Sequence, residues 1–251
     1  MPLFYVMEAI IFIISFIAAF IFSLGGVGAA IILIPVLVSL GIPVNIAKPV
    51  GLFYNTVSLT GASINNIKNK RLDFKAGIPI IIASFLFAIA GAYITRYIPD
   101  RIILILFTAF LLFSGFMFLL HKKRDVEKYR DDVPVVKLGF IGAFAGLLSG
   151  MLGIGGGGII SPLMLMAGFN PKKITAITAF VVPFSSFSGF LTYWAMGNID
   201  WKILLIASVA GVAGATLGTV FMQKRLNSQT VKKILAVILL IMAVKLIFKI
   251  I

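Results

Sequence analysis

Two glycine-broken apolar stretches decide how this chain folds: Leu24-Gly-Gly-Val-Gly-Ala-Ala-Ile-Ile-Leu-Ile-Pro35 and Met151-Leu-Gly-Ile-Gly-Gly-Gly-Gly-Ile-Ile-Ser-Pro162. Adding 127 to a position in the first gives its partner in the second, so Gly26 matches Gly153, Gly28 matches Gly155, Ile32 matches Ile159 and Pro35 matches Pro162. The register continues downstream, with Gly41 on Gly168, Phe53 on Phe180, Ser58 on Ser185, Asp73 on Asp200 and Gly91 on Gly218. The chain is a duplicated unit, and each copy is interrupted near its start by backbone that glycine leaves free to turn.

Composition sets the solvent. With 61% hydrophobic residues, 12% charged residues and a mean hydropathy of +1.12, the 251 residues offer too little polar surface for water, which implies an integral membrane protein in a lipid bilayer. Apolar runs near the ~20 residues needed to cross hydrocarbon recur from end to end. The run from Leu3 to Leu24 lacks a basic leader and a small-residue cleavage site, and reads as a retained span. A net charge of +14 does not imply nucleic acid, because the basic residues sit in short connectors between apolar runs, where cytoplasmic loops collect them. The absence of cysteine removes disulfides, thiolate metal sites and thiol catalysis.

From Phe4 to Leu40 the chain is almost uninterrupted apolar sequence. As one helix it would be about 55 Å long, too long for a bilayer, so it turns at the glycines. Later spans are expected at Ile46 to Ile64, Ala76 to Thr95 and Ile102 to Leu120, closing a first transmembrane repeat over 1–120. The segment His121 to Lys137 is strongly charged and contains Pro134, and 121–134 serves as the linker. The second repeat, 135–251, restates the plan with runs at Val135 to Leu152, Ile159 to Gly168, Ile174 to Met196, Trp201 to Met222 and Val231 to Ile251.

Two topologies compete, eight full spans or ten segments with hairpins. If each glycine stretch is a hairpin that returns the chain to its starting face, the connectors at 65–75, 121–137, 169–173 and 223–233 share one side and hold 16 of the 22 Lys and Arg. If each is a broken span, the split is 13 against 9. The positive-inside preference favours hairpins, and an odd number of crossings per unit then inverts one copy relative to the other, as in many carriers. The expected fold is an all-α, polytopic transmembrane bundle of two homologous, inverted repeats with glycine-broken or re-entrant helices.

Unwound glycine backbone at membrane depth survives only where protein buries it or a wet cavity meets it, which makes Gly26, Gly28, Gly155, Gly156 and Gly157 candidates for a binding site. Gly155 to Gly158 precede an apolar helical run, so free N–H groups and a positive helix end would face the guest, and an oxyanion fits. The competing reading is close helix packing by small residues. On the next helix Asn55 and Ser58, and Thr178 and Ser185, share faces and either line a pathway or back-bond to their own helices. Lys48, next to Pro49, is expected to snorkel to the interface, or else to reach inward towards an anion. Glu8 is the one acidic residue well inside an apolar run and could couple transport to a proton, or simply sit at the membrane surface. Pro35 and Pro162 are expected to shape or break the short helices. Lys245 and Lys249 look like an interfacial anchor. His121 lies in a connector, and no acid cluster or Cys/His ligand set accompanies it, so neither an enzyme nor a metal or other cofactor is implied. The Gly-Ile-Gly-Gly-Gly-Gly run lacks the Lys-Ser/Thr ending of a nucleotide loop.

Ser149-Gly-Met-Leu-Gly-Ile-Gly-Gly-Gly-Gly-Ile-Ile-Ser-Pro-Leu163, the hydroxyl-rich helix ending in Gly197-Asn-Ile-Asp-Trp201, and the fainter copies at Gly25 to Pro35 and Arg71-Leu-Asp-Phe74 carry a resemblance over nearly the whole chain. The chain resembles the TauE/SafE sulfite exporter family, also called the toluene-sulfonate uptake permease family. That resemblance implies secondary transport of small sulfur-containing anions such as sulfite or sulfonates, coupled to a proton or sodium gradient. Ala29 and Ala30 stand where the second copy has Gly156 and Gly157, so the two half-sites need not contribute equally. A non-transporting membrane assembly or lipid-interacting protein, and an ion channel, are the competing readings. Oligomeric state does not follow from the sequence.

Overall fold

The computed structural model describes residues 2–22, 26–120, 129–130, 132–225 and 228–250, and the regular elements among them are helices. In the first unit α1 (Pro2–Phe22) leads into the glycine break and α2 (Ala30–Ser39) leaves it. Then follow α3 (Val44–Lys68), α4 (Phe74–Ile94), a 3-10 turn at Thr95–Tyr97, and α5 (Asp100–Leu120). The second unit comprises α6 (Val135–Leu152), α7 (Gly157–Met166), α8 (Pro171–Ala195), α9 (Trp201–Arg225) and α10 (Ser228–Ile250). Leu24 and Gly25 of the first cluster, and 121–128 and 131 of the expected linker with His121 among them, lie outside the described residues.

Equivalent local sequences produce equivalent punctuation. α2 and α7 each end on a left-handed glycine, Gly41 and Gly168, both at φ +92°. There the N–H groups of Ile42 and Phe169 return to the carbonyls of Leu37 and Met164, both at 3.1 Å. Asp73 caps α4 by accepting from the Ala76 N–H, and Asp200 caps α9 by accepting from the N–H groups of Lys202 and Ile203. Lys70, at φ +53°, is the one non-glycine with positive φ among the described residues, and its counterpart is Gly197.

Outward faces are apolar. On α1 the exposed residues Val6, Ile10, Ile13 and Ile17 recur at helical spacing, while Ile11, Ser15, Ala18, Ala19 and Phe22 on the other face are buried. Among the described residues five helices are long and apolar enough to cross a membrane: Phe74–Tyr97, Asp100–Met117, Val135–Leu152, Pro171–Ala195 and Trp201–Gly218. Helix α3 is equally long but too polar to qualify, and lies in the interior against α8 and α9. The protein is a multi-pass membrane protein.

Contacting pairs fix the helix directions. Glu8 meets Lys202, and Phe16 lies against Gly214, so α1 and α9 are parallel. Lys48 lies over Tyr193, Thr56 beside Pro183 and Ser63 Oγ against the Ala179 carbonyl, so α3 and α8 are antiparallel. α2 runs back along α3, with Ala30 beside Asn55 in the middle of that helix. α7 returns the chain to the end where α6 began, since the Arg130 N–H donates to the Gly168 carbonyl at 2.9 Å.

Helices from different units pack as α4 on α6 and α1 on α9, as α3 on α9 and α4 on α8, and as α3 on α8 and α5 on α10. The α4–α6 seam is built from Gly142, Gly146 and Gly150, four residues apart, whose missing side chains admit the backbone of α4. A Cβ on Gly146 would stand 2.6 Å from the Ser84 Cα. Gly146→Val should cost about 1–3 kcal/mol or more by overpacking. It is expected to lower the thermal midpoint of the detergent-solubilised protein, whereas Gly139→Val, at a position open to its surroundings, should not.

One end of the bundle is tied by Lys173 Nζ, 2.7 Å from Asp73 Oδ2. Partial burial pushes the Asp73 carboxyl upward, but hydrogen bonding from Lys173 and from the N–H groups of Ala76 and Lys75 outweighs it and holds the group below its usual range. Stability from this tie is present above the unfolded aspartate pKa of about 3.9 and is lost as pH falls through the lowered folded value. Acidification below that range should therefore depress the thermal midpoint less in Asp73→Asn than in the unaltered chain.

Candidate functional site: the paired glycine breaks

The breaks occur where glycine takes left-handed backbone. Gly26 and Gly28 have φ of +62° and +88°, and their counterparts Gly153 and Gly155 have φ of +79° each. Both breaks lie in the protein interior: every residue from Gly26 to Val38 and from Ser149 to Pro162 is buried. They meet there, for a Cβ on Gly157 would stand 2.8 Å from the carbonyl carbon of Val27.

Asn55 joins the two. Its carboxamide oxygen accepts from the Ala30 N–H, the first of α2, at 3.0 Å. Its amide nitrogen donates to the Ile154 carbonyl of the second break at 2.8 Å. One side chain thus satisfies a backbone donor of one unit and a backbone acceptor of the other, both at a depth where lipid can satisfy neither. Added Cβ atoms at Gly28 and at Gly155 would both strike this carboxamide, so glycine at the two positions is what lets Asn55 enter.

The other anticipated residues divide. Ser185 is buried and its hydroxyl lies 3.3 Å from the Gly155 carbonyl and 3.2 Å from that of Val182. Thr178 borders the first break, since its Oγ1 lies 2.9 Å from where a Gly26 Cβ would stand, but it donates back to Ile174 at 2.9 Å. Ser58 is buried on α3. Glu8 forms an ion pair with Lys202.

Two expectations need correction. Pro35 and Pro162 do not break helices: α2 and α7 continue through them, and the interruptions lie upstream at the glycines. A proline at the sixth position forfeits one helical hydrogen bond, and the burial of both short helices holds them together. Lys48 does not snorkel. It is 2% exposed, its ammonium sits 5.3 Å from the centre of the Tyr193 ring, and it makes no ion pair among the described residues. Its backbone abuts the second break, with the Lys48 Cα 2.7 Å from where a Gly153 Cβ would stand. Tyr193 in turn donates to the Gly150 carbonyl at 3.0 Å and contacts the Thr95 hydroxyl.

Sequence reasoning passed over Ser149 and Ser186. Both are fully buried, their hydroxyls have no hydrogen-bond partner among the described residues, and both adjoin the second break. The 127-residue register held the signal, because their counterparts are Phe22 and Leu59.

The family model for the sulfite exporter TauE/SafE matches residues 11–246. The chain belongs to this family. A probable membrane transporter protein of Methanocaldococcus jannaschii is 28% identical over 232 residues, which cover 86% of each chain. A second, from Bacillus subtilis, is 26% identical over 96% of this chain and 97% of the relative. A TauE/SafE family protein of Arabidopsis thaliana is 45% identical over a shorter region, 32% of this chain and 19% of its own. No solved structure matches the chain. The chain is a membrane transporter of the TauE/SafE family, not an enzyme.

Asn55→Leu should leave the Ala30 N–H and the Ile154 carbonyl unpaired, at about 1–3 kcal/mol each. A fall in the thermal midpoint in detergent, larger than that of Thr60→Ala on the same helix, is the expected result.

Proposed function

We propose that this protein is a secondary-active carrier of small sulfur-containing anions, such as sulfite, sulfonates or related compounds, working by alternating access. The observation that carries the reading is the face-to-face meeting of two buried glycine breaks, with the N-terminus of α7 directed into their junction. That terminus offers N–H groups and a positive dipole end, which suit an oxyanion. The carrier name of the family and of its relatives supports the class of activity.

The two repeats, 1–120 and 135–251, are inverted in this reading. The antiparallel run of α3 and α8, helices of identical position in the two units, supports it, as does the contact of Thr56 with its own counterpart Pro183 near the centre. The basic connectors 65–75 and 169–173 meet where Lys173 pairs with Asp73, an end that the positive-inside preference puts in the cytoplasm. With Gly26 to Val38 and Ser149 to Pro162 buried, an anion enters in this reading when the units rock apart.

The backbone around Gly26, Gly28, Gly155, Gly156 and Gly157 lines the junction in which the anion is held, and Asn55, Ser58, Thr178 and Ser185 shape the lining. Lys48 supplies buried positive charge beside the second break, where an intramembrane cation without a carboxylate partner suits a negative solute. Coupling is to a proton or sodium gradient. The pairing of Glu8 with Lys202, towards the start of α1, sets it apart from the breaks.

Proteoliposomes loaded with unlabelled sulfite should accumulate labelled sulfite by counterflow, and an imposed pH gradient should change the rate if protons are the coupling ion. Gly155→Val puts a branched side chain at φ +79° against Asn55 and Ser186, and should abolish counterflow while leaving membrane insertion intact. Close packing favours a second reading, a non-transporting membrane protein whose glycines serve helix contact alone. Absence of saturable flux for sulfite, sulfonates and thiosulfate would select it.

A further inference from the structure

We infer that the two breaks are unequal: the second, at the N-terminus of α7, holds a single oxyanion, and the first is a closed structural copy of it. This rests on the carrier reading and identifies which half of the duplicated site binds.

The inequality appears on superimposing one unit on the other by the 127-residue register. At the first break the N–H of Ala30 is taken by the Asn55 carboxamide. The counterpart of Asn55 is Val182, and the counterpart of Ala30, Gly157, turns its N–H to the Gly155 carbonyl within its own loop at 2.9 Å. The second helix terminus therefore has no side chain of its own unit capping it. It also has one more left-handed residue, Gly156 at φ +73° and ψ −22°, where Ala29 is right-handed at φ −88° and ψ −5°. The N–H groups of Gly155, Gly156 and Gly158 are unpartnered among the described residues, as are those of their counterparts Gly28, Ala29 and Ile31, so the difference between the termini lies in the side chains that surround them.

The side chains around the two termini differ in the same sense. Ser186 Oγ lies 2.5 Å from where a Gly155 Cβ would stand, and Ser149 Cβ lies 3.5 Å from where a Gly156 Cβ would stand. Both serines are fully buried, and neither hydroxyl has a partner among the described residues; of the five buried serines in that condition, with Ser15, Ser161 and Ser208, these two are the pair whose atoms stand against Gly155 and Gly156. Serines in membrane helices ordinarily return their proton to a carbonyl one turn back, as Ser39, Ser84 and Ser188 do in this chain. Two hydroxyls that forgo that bond beside an open helix terminus form a donor set awaiting an acceptor. At the first break the same positions are Phe22 and Leu59, which can donate nothing. Uncommitted N–H and O–H donors at a positive helix end suit a small sulfur oxyanion of one or two charges.

The test uses the full chain in proteoliposomes with labelled sulfite, thiosulfate and sulfate as probes. For the anion carried, Ser149→Ala with Ser186→Ala should raise KM by about tenfold, the loss expected for hydrogen bonds to a charged group. Leu59→Ala, the equivalent truncation in the first unit, should leave KM unchanged. An unchanged elution volume in detergent establishes that each variant is folded. Equilibrium binding to the solubilised protein should saturate at one anion per chain. Two anions per chain, or an unaltered KM in the folded double variant, would overturn the inference while the carrier reading stands. Failure of the unaltered protein to transport any probe would overturn the carrier reading and this inference with it.

Discussion

Backbone N–H and C=O groups at membrane depth must be satisfied by protein, and that constraint organises the molecule. Lipid offers no donor and no acceptor, so every interruption of a helix inside the bilayer demands a partner from elsewhere in the chain. This protein makes two interruptions and brings them together. Asn55 takes a backbone donor of its own unit and supplies a backbone acceptor of the other, so the first unit completes the backbone bonding of the second. The second break is not self-sufficient, which is a physical reason for the halves to stay associated.

The surrounding helices meet the same environment differently. With lipid as apolar as the side chains, there is little hydrophobic drive for helix to seek helix, and association relies on close fit. Small residues supply it: Gly142, Gly146 and Gly150 let α6 lie against α4, and Gly214 lets α9 lie against α1. Large apolar residues are displaced to the outward stripes, as on α1, where they meet acyl chains. The polar helices α3 and α8 occupy the interior between these seams; the Asn55 carboxamide faces the breaks, and their hydroxyls bond to a break, to their own backbones or to a neighbouring helix.

Matching bends recur 127 residues apart, and the side chains around them differ. Left-handed backbone recurs at four equivalent pairs, Gly26 and Gly153, Gly28 and Gly155, Gly41 and Gly168, and Lys70 and Gly197. Lys70 shows that the conformation belongs to the fold at that position, since a lysine accepts it at an energetic cost glycine avoids. Around that common frame, Asn55 and Lys48 have no equivalents of like chemistry, facing Val182 and Thr175 in the register.

Much of the fold was legible in the sequence, because the quantities involved are local or compositional. Hydropathy determined the solvent and the helices, glycine clusters determined where the chain turns, and the 127-residue register determined the duplication. Helix limits shifted by a few residues, as at α3, which starts at Val44 and ends at Lys68, because caps and the last turn depend on fine geometry. Family membership was likewise readable, from Ser149 to Leu163. Only the tertiary structure decided which polar groups are partnered. Lys48 was expected at the interface and is buried against Tyr193, because the helix that carries it lies in the interior, a placement that pattern along one helix does not encode. Asn55 was one polar residue among several until α2, α3 and the second break closed around it. Ser149 and Ser186 were indistinguishable from back-bonding serines, since whether a hydroxyl is satisfied depends on atoms brought near from distant parts of the chain.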